Sequence, residues 1–243
     1  MRAKTVRIEG HNGDEIEAYL AVPTDVEDFG SVVVIHHLPG YDEETKAMVR
    51  RFADHGYAAL MPNLYSREAP GAAPDDAAAI VRAQGGVPDD RLVGDVDGAA
   101  RYLRALDATN GKVGVIGHCS GGRQSFLAAC KLDLDAAVNC YGAFVVGNPP
   151  EGSSLIARPI VDLAPSLSCP LLGLFGLDDK FPAPDQVAEL DKALSENGKP
   201  HEFHSFDGAG HAFFSPDRPS YRVDAATEGW RLIFDFYGRF LAG

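Results

Sequence analysis

The sequence predicts an α/β fold in which helices cover both faces of a mostly parallel β-sheet. Short segments rich in Val, Ile, Leu and Ala alternate along the chain with segments whose apolar residues recur at helical spacing. This alternation is typical of parallel strands joined by helical crossovers. Near the start of the chain, residues 5–9 and 15–22 flank an Asn12-Gly13 turn signal, which predicts an antiparallel hairpin at the edge of the sheet.

The remaining elements follow from the same patterns, taken in chain order. Parallel strands are predicted at residues 31–35, 57–61, 112–116, 136–140, 170–175 and 202–206. Helices are predicted at residues 43–55, 89–105, 185–196 and 221–241. Residues 66–88 and 147–165 are rich in Pro and Gly and are expected to be irregular, and long irregular insertions in a domain are often lids or binding loops.

The composition predicts a soluble globular protein with one hydrophobic core. A length of 243 residues fits a single α/β domain spanning residues 1–243, and 45% hydrophobic residues supply enough material for one core. The formal net charge of −13 argues against a nucleic acid partner. The first residues lack an apolar signal segment, and no apolar run is long enough to span a membrane, so we expect a cytoplasmic protein without a membrane partner.

A nucleophile is predicted at Cys119. The sequence Gly117-His118-Cys119-Ser120-Gly121 follows an apolar strand and precedes a helix, which is the pattern of a nucleophile elbow. Glycines two residues before and after the nucleophile remove the Cβ atoms that would collide in so tight a turn. The thiol would lie at the amino end of a helix, where unpaired N–H groups and the helix dipole favour a thiolate.

A base and an orienting acid follow Cys119 in the order that α/β-hydrolases use. Asp178 and Asp179 come after one predicted strand, and either could orient the base; we favour Asp178. His211 follows a glycine-bearing turn after the next strand and is the predicted base. The other histidines considered for this role are His36, His37, His118, His201 and His204.

The loop after the first long parallel strand is predicted to supply part of an oxyanion hole. In an α/β-hydrolase fold, one backbone N–H comes from this loop and another from the residue after the nucleophile, which here favours Leu38 and Ser120. His36 and His37 could alternatively bind a metal together with His118 or Asp178, but their spacing does not match a metal motif. We therefore predict neither a metal nor another cofactor.

Several segments resemble the dienelactone hydrolase (carboxymethylenebutenolidase) family. They are the cysteine elbow with residues 111–115, the segment 56–65, Pro182-Ala183-Pro184 and Ala209-Gly210-His211, and the resemblance extends from about residue 16 to residue 240. It implies an α/β-hydrolase fold, a triad of Cys119, Asp178 and His211, and oxyanion amides at Leu38 and Ser120.

The resemblance also exposes two departures from the family pattern. His37 occupies the position of a family glutamate that helps to form the thiolate, so we expect His37 to modulate the thiol. The family binds a substrate carboxylate with two arginines; the first corresponds here to Arg82, while the second falls at Ser215, with Arg218 nearby. Phe213 is a further candidate for the substrate pocket.

These observations predict hydrolysis of a small ester or lactone through a thioester on Cys119. The alternative is a protein of the same fold that does not hydrolyse its ligand and instead binds or senses through reversible oxidation of the Cys119 thiol.

Overall fold

The computed structural model describes residues 1–243, and all of its strands belong to one sheet. The eight strands are β1 (Arg2–Glu9), β2 (Glu15–Val22), β3 (Phe29–Ile35), β4 (Ala58–Pro62), β5 (Thr109–His118), β6 (Ala136–Cys140), β7 (Leu171–Gly176) and β8 (His201–Phe206). Their order across the sheet is β1-β2-β4-β3-β5-β6-β7-β8. The predicted α/β fold with a mostly parallel sheet is confirmed.

The hairpin of β1 and β2 lies at one edge of the sheet, as predicted. β1 pairs antiparallel with β2 through Ile8 opposite Ile16, and β2 in turn pairs antiparallel with β4. All other neighbouring strands are parallel. The turn between β1 and β2 is a short 3₁₀ segment, His11–Gly13, and Asn12 adopts a positive φ of 56° there, a conformation that Asn tolerates better than most residues.

Helices cover both faces of the sheet. They are α1 (Glu43–Asp54), α2 (Pro74–Ala83), α3 (Asp89–Arg104), α4 (Ser120–Lys131), α5 (Pro184–Glu196) and α6 (Val223–Phe240). α1 and α6 share one buried apolar cluster, and the other four helices contribute to the cluster on the opposite face. Side chains alternate between the two faces of a strand, so Val33 of β3 packs into one cluster while Val32 and Val34 pack into the other.

The expectation that residues 66–88 are irregular is wrong in part. α2 occupies the middle of this stretch, with Pro74 at its first position, where the missing N–H removes no helical hydrogen bond. Ala77, Ala78 and Val81 bury one side of the helix. The Pro-Gly and Gly-Gly pairs mark only the ends of the stretch, and the good helix formers between them decide its conformation.

The other irregular stretch contains one short regular segment. A 3₁₀ helix, Val161–Ser166, follows a long connection that begins after β6. None of the helices combines the length and the apolar character that a membrane crossing requires.

Candidate active site

The carboxyl ends of three parallel strands bring candidate site residues together at one end of the sheet. Cys119 directly follows β5, Asp179 follows β7 and His211 follows β8. In open α/β sheets, ligands bind at the carboxyl ends of the strands, because the loops that leave the strands converge there.

The backbone around Cys119 forms the predicted elbow. Cys119 has φ 57° and ψ −122°, so its backbone is held in a region that residues other than glycine rarely adopt. A Cβ atom on Gly117 would lie 2.0 Å from the carbonyl oxygen of Gly121, and one on Gly121 would lie 2.6 Å from the carbonyl oxygen of Ile35. Both positions therefore require glycine.

Cys119 is the one cysteine with a partly exposed side chain. Cys130, Cys140 and Cys169 are buried, and none of the four forms a disulfide. Burial raises the pKa of Cys130 and of Cys169 to about 12 and raises that of Cys140 well above its usual range. These three thiols remain protonated and unreactive at neutral pH, which leaves Cys119 as the candidate nucleophile.

Asp179, and not Asp178, lies against His211. The Nδ1 atom of His211 is 2.8 Å from Oδ2 of Asp179, whose other oxygen accepts a hydrogen bond of 2.8 Å from the backbone N–H of Phe181. This turn holds the Asp179 carboxylate inside the protein, with the residue only 6% exposed. Asp178 is exposed to solvent, so the prediction of Asp178 as the orienting acid is wrong.

The surroundings of His211 favour its protonated form. Burial by itself would lower the pKa of His211, but the hydrogen bond with Asp179 and the nearby Cys119 sulfur outweigh it and raise the pKa to about 10. The ring of Tyr141 packs edge-on against the imidazole, with the ring centres 5.2 Å apart. An imidazolium next to a thiol is an arrangement that stabilises a thiolate.

The loop after β3 is fixed by hydrogen bonds to the segment after β4. The Nδ1–H of His36 donates to the carbonyl of His37 at 2.9 Å, and Nε2 accepts from the backbone N–H of Leu64 at 3.2 Å. This pattern requires a neutral imidazole, and burial lowers the pKa of His36 to about 4. The hydroxyl of Tyr65 donates to the carbonyl of Leu38 at 2.8 Å, which fixes the orientation of that residue.

The two predicted oxyanion donors lie beside Cys119. Leu38 and Ser120 line the same cavity as the thiol. The backbone N–H of Leu38 makes no hydrogen bond within the protein, and Ser120 begins α4, where N–H groups have no partner within the helix. Both groups are therefore available to a bound oxygen atom.

His37 pairs with Asp42 rather than with the thiol. Its Nε2 atom is 2.6 Å from Oδ2 of Asp42, and no hydrogen bond joins His37 to Cys119. Burial would raise the pKa of Asp42, but the hydrogen bond from His37 and that from the backbone of Thr45 lower it to about 2. The structure therefore gives no support to direct modulation of the thiol by His37.

The polar side chains near His37 are the ones that could hold a metal. The ligand atoms of His37, Asp42 and Glu44 all lie within 4.8 Å of one another. The predicted alternative of His36 and His37 with His118 or Asp178 does not form such a group, since the ligand atoms that come together are those of His37, Asp42 and Glu44.

The cavity beside Cys119 has a volume of about 100 Å³ and differs from the predicted substrate site. Arg82, Arg218 and Phe213 do not line it. Arg82 and Arg218 are exposed, whereas Phe213 is fully buried, so none of the three forms part of the wall of this cavity. The loop geometry after His211 turns Phe213 into the core, where it packs against Tyr141 with ring centres 5.2 Å apart.

Sequence analysis missed Arg123, Asp89 and Tyr65, which do line this cavity. Arg123 lies in the first turns of the helix that follows Cys119, and this closeness in sequence was the one signal available for it. Asp89 and Tyr65 come from distant segments, and only the folded chain shows that they meet there.

Comparison with known proteins identifies the family. The model of the dienelactone hydrolase family matches residues 16–241. A carboxymethylenebutenolidase from Pseudomonas putida is 30% identical over 242 residues, covering 97% of this chain and 96% of the relative. A Methylorubrum extorquens protein provisionally named a carboxymethylenebutenolidase is 32% identical over 228 residues, covering 93% of this chain and 77% of the relative.

A solved structure agrees with this assignment. The crystal structure of a Klebsiella pneumoniae protein, provisionally named a dienelactone hydrolase, superposes with a TM-score of 0.85 at 27% identity. The match covers 99% of this chain and 100% of that protein. The family match, the relatives and the shared fold together show that this chain belongs to the dienelactone hydrolase family of α/β-hydrolases.

Proposed function

We propose that the protein hydrolyses a small ester or lactone through a thioester on Cys119. The observation that carries the proposal is the 2.8 Å pairing of His211 with Asp179, next to a thiol presented by a strained elbow. Family membership favours hydrolysis over the alternative of a thiol sensor.

The first half of the reaction forms the thioester. The Cys119 thiolate attacks the carbonyl carbon, and the backbone N–H groups of Leu38 and Ser120 stabilise the negative oxygen that develops. The bond between the carbonyl carbon and the alkoxy oxygen then breaks. His211 gives the proton on Nε2 to the leaving alcohol and becomes neutral, while Asp179 holds the proton on Nδ1.

The second half restores the enzyme. The neutral imidazole of His211 takes a proton from a water molecule as the oxygen of that water attacks the thioester carbon. The bond from carbon to sulfur breaks, and Cys119 leaves as a thiolate beside the imidazolium. The products are one carboxylic acid and one alcohol, or a single hydroxy acid when the substrate is a lactone.

The test compares Cys119→Ala with Cys130→Ala on p-nitrophenyl acetate and on dihydrocoumarin. We expect Cys119→Ala to lower kcat/KM on the order of a thousandfold or more, because the nucleophile is lost. Cys130→Ala removes a buried thiol on the same helix and should keep most of the activity.

Mass spectrometry provides a direct measurement of the intermediate. Wild-type protein quenched with acid during turnover of p-nitrophenyl acetate should carry one acetyl group on the peptide that contains Cys119. Retention of the wild-type rate by folded Cys119→Ala would contradict the proposed nucleophile.

A further inference from the structure

We propose that the cavity beside Cys119 recognises a substrate hydroxyl group close to the reacting carbonyl. Oε1 of Gln124 accepts a hydrogen bond from this hydroxyl, and the Nε–H of Arg123 donates one to it. The substrate class is therefore a hydroxylated lactone or the ester of a short hydroxy acid. The inference rests on the proposed function, whose substrate class it narrows.

The wall of the cavity is predominantly apolar, so the few polar groups in it select what binds. Its hydrophobic residues include Leu38, Leu64, Val87 and Phe144. The volume of the cavity is about 100 Å³, whereas an engineered apolar cavity of about 150 Å³ accommodates benzene. These dimensions suit a five-membered lactone ring or a short acyl chain.

Most of the buried polar side chains in the wall are already hydrogen-bonded within the protein. The hydroxyl of Tyr65 donates to the carbonyl of Leu38, and both ring nitrogens of His36 are bonded to backbone groups. The carboxylate of Asp89 accepts from the terminal nitrogens of Arg123. These groups have little capacity left for a bound molecule.

Two buried side-chain atoms in the wall have no hydrogen-bond partner within the protein. They are Nε of Arg123, which has one proton to donate, and Oε1 of Gln124, which can only accept. Buried polar groups are nearly always hydrogen-bonded, and leaving them unpaired costs free energy. A donor and an acceptor left unpaired in one small apolar cavity therefore indicate a bound group that pairs with both.

Other contacts hold Arg123 in place, so its unpaired N–H keeps a fixed direction. NH1 and NH2 donate to the two oxygens of Asp89 at 2.8 Å and 3.0 Å, and NH2 also donates to the carbonyl of Arg158 at 3.0 Å. The guanidinium is planar, so these bonds also orient Nε. Binding of a hydroxyl at Nε does not require the pair with Asp89 to open.

A hydroxyl group matches this donor and acceptor. It has one proton to donate to Gln124 and lone pairs to accept from Arg123. A carbonyl or ether oxygen accepts but cannot donate, and an ammonium group donates but cannot accept, so each would leave one buried atom unpaired. A site that hydrogen-bonds a substrate hydroxyl discriminates strongly against the analogue that lacks it.

The location on α4 puts the hydroxyl close to the reacting carbonyl. Cys119 directly precedes α4, and Arg123 and Gln124 lie in its first two turns. Side chains of a helix lean towards its amino end, which here carries the thiol and the proposed oxyanion donor Ser120. We therefore expect the hydroxyl on the first or second carbon from the substrate carbonyl.

The test compares lactones that differ in one group of nearly equal size. α-Hydroxy-γ-butyrolactone is matched with α-methyl-γ-butyrolactone, and the β-hydroxy compound with the β-methyl compound, each as separate enantiomers. Each rate is divided by that of hydroxide hydrolysis of the same lactone, which removes the electronic effect of the hydroxyl. We expect wild-type protein to prefer a hydroxy lactone by on the order of tenfold or more in kcat/KM, because a methyl group leaves both buried atoms unpaired.

Gln124→Met removes the acceptor but keeps the length of the side chain, and it should lower the hydroxy-to-methyl ratio on the order of tenfold. Gln84→Met is the matched control, because Gln84 is exposed at the end of α2 and does not line the cavity. Gln124→Glu restores an accepting oxygen and should keep the preference, which separates hydrogen bonding from packing. Equal ratios in wild type and Gln124→Met, or a wild-type preference for the methyl lactones, would overturn the inference.

Protection of Cys119 gives a readout that does not require hydrolysis. 3-Hydroxytetrahydrofuran and 3-methyltetrahydrofuran contain no ester bond, and each is added while iodoacetamide alkylates the thiol. The alcohol should protect wild-type protein at a concentration on the order of tenfold lower than the methyl compound, and this difference should be lost in Gln124→Met but not in Gln84→Met.

The two readouts separate the inference from the proposed function. Equal protection of the wild-type thiol by the two compounds would contradict the inference. Absence of hydrolysis with every lactone, together with preferential protection by the alcohol, would support the inference and contradict the proposed function.

Discussion

Asp179 holds His211 with one carboxylate oxygen and its own loop with the other. Oδ2 lies 2.8 Å from Nδ1 of the imidazole, while Oδ1 accepts a hydrogen bond from the backbone N–H of Phe181. The turn after β7 thereby determines both the position of the carboxylate and the orientation of the ring. Asp178, one residue earlier, faces solvent and is a natural control.

Replacement of Asp179 by Asn should therefore lower kcat on the order of a hundredfold or more, because an amide can present its NH₂ group to Nδ1 and favour the wrong tautomer. Asp178→Asn should change kcat less than about twofold, as expected for a substitution of an exposed polar side chain that does not contact the imidazole. Steady-state kinetics on p-nitrophenyl acetate measure both. Similar losses in the two variants would show that the ring does not depend on Asp179.

The protonation of His211 also predicts how stability varies with pH. The pKa of His211 is about 10 in the folded protein, against an ordinary value of 6.5. A raised pKa stabilises the folded state fully below pH 6.5, and this contribution is lost as the pH rises towards 10. The difference in unfolding free energy between wild type and Asp179→Asn should accordingly be largest near pH 6 and shrink towards pH 10.

Urea unfolding at pH 6, 8 and 10 measures this difference. Asp178→Asn provides the reference for a charge change without an imidazole partner, and its difference from wild type should not follow the same trend. A difference for Asp179→Asn that grew with pH would contradict the protonated state of His211.

The close backbone approach in the elbow predicts that Gly117 cannot be replaced by Ala without loss of stability and activity. A Cβ atom there would lie 2.0 Å from the carbonyl oxygen of Gly121, so the backbone must move to admit Ala. We expect Gly117→Ala to lower the unfolding free energy by about 3 kcal/mol or more and to abolish activity in the folded fraction, because the elbow itself is displaced. Thermal unfolding and esterase assays at low temperature measure the two effects.

Gly238 offers the matched control for this substitution. It lies on an exposed side of α6, and no atom lies within 4 Å of an added Cβ. Gly238→Ala should leave activity unchanged and stabilise the helix by up to about 1 kcal/mol. Destabilisation by both substitutions to the same extent would mean that the close approach at Gly117 is not the cause.

The sequence predicted best those features that depend on residues close together in the chain. The elbow at Cys119 and the strand at β6 depend on neighbouring residues, and their apolar runs and glycines indicate them directly. The choice between Asp178 and Asp179 depends instead on a hydrogen bond from the backbone N–H of Phe181 to the Asp179 side chain. The sequence of two adjacent aspartates does not show which of them accepts this bond.

The cavity was least predictable because its wall is assembled from distant segments. Asp89 and Arg123 are 34 residues apart and meet only after α3 and α4 pack together. Family resemblance placed a cation near Arg218, but in this chain the segment after His211 buries Ser215 and leaves Arg218 exposed. Residue identity at an aligned position did not predict which charges reach the cavity.

Tyr65 provides a last prediction, for a residue that positions the oxyanion loop. Its hydroxyl donates to the carbonyl of Leu38 at 2.8 Å, on the peptide that follows the candidate N–H donor. Tyr65→Phe should remove this restraint and lower kcat by about tenfold with little change in KM, because loop orientation matters most when negative charge develops on the substrate oxygen. Tyr57→Phe is the control, since the Tyr57 side chain packs against Phe234 outside the cavity. A rise in KM without loss of kcat would indicate that Tyr65 acts through substrate contact and not through Leu38.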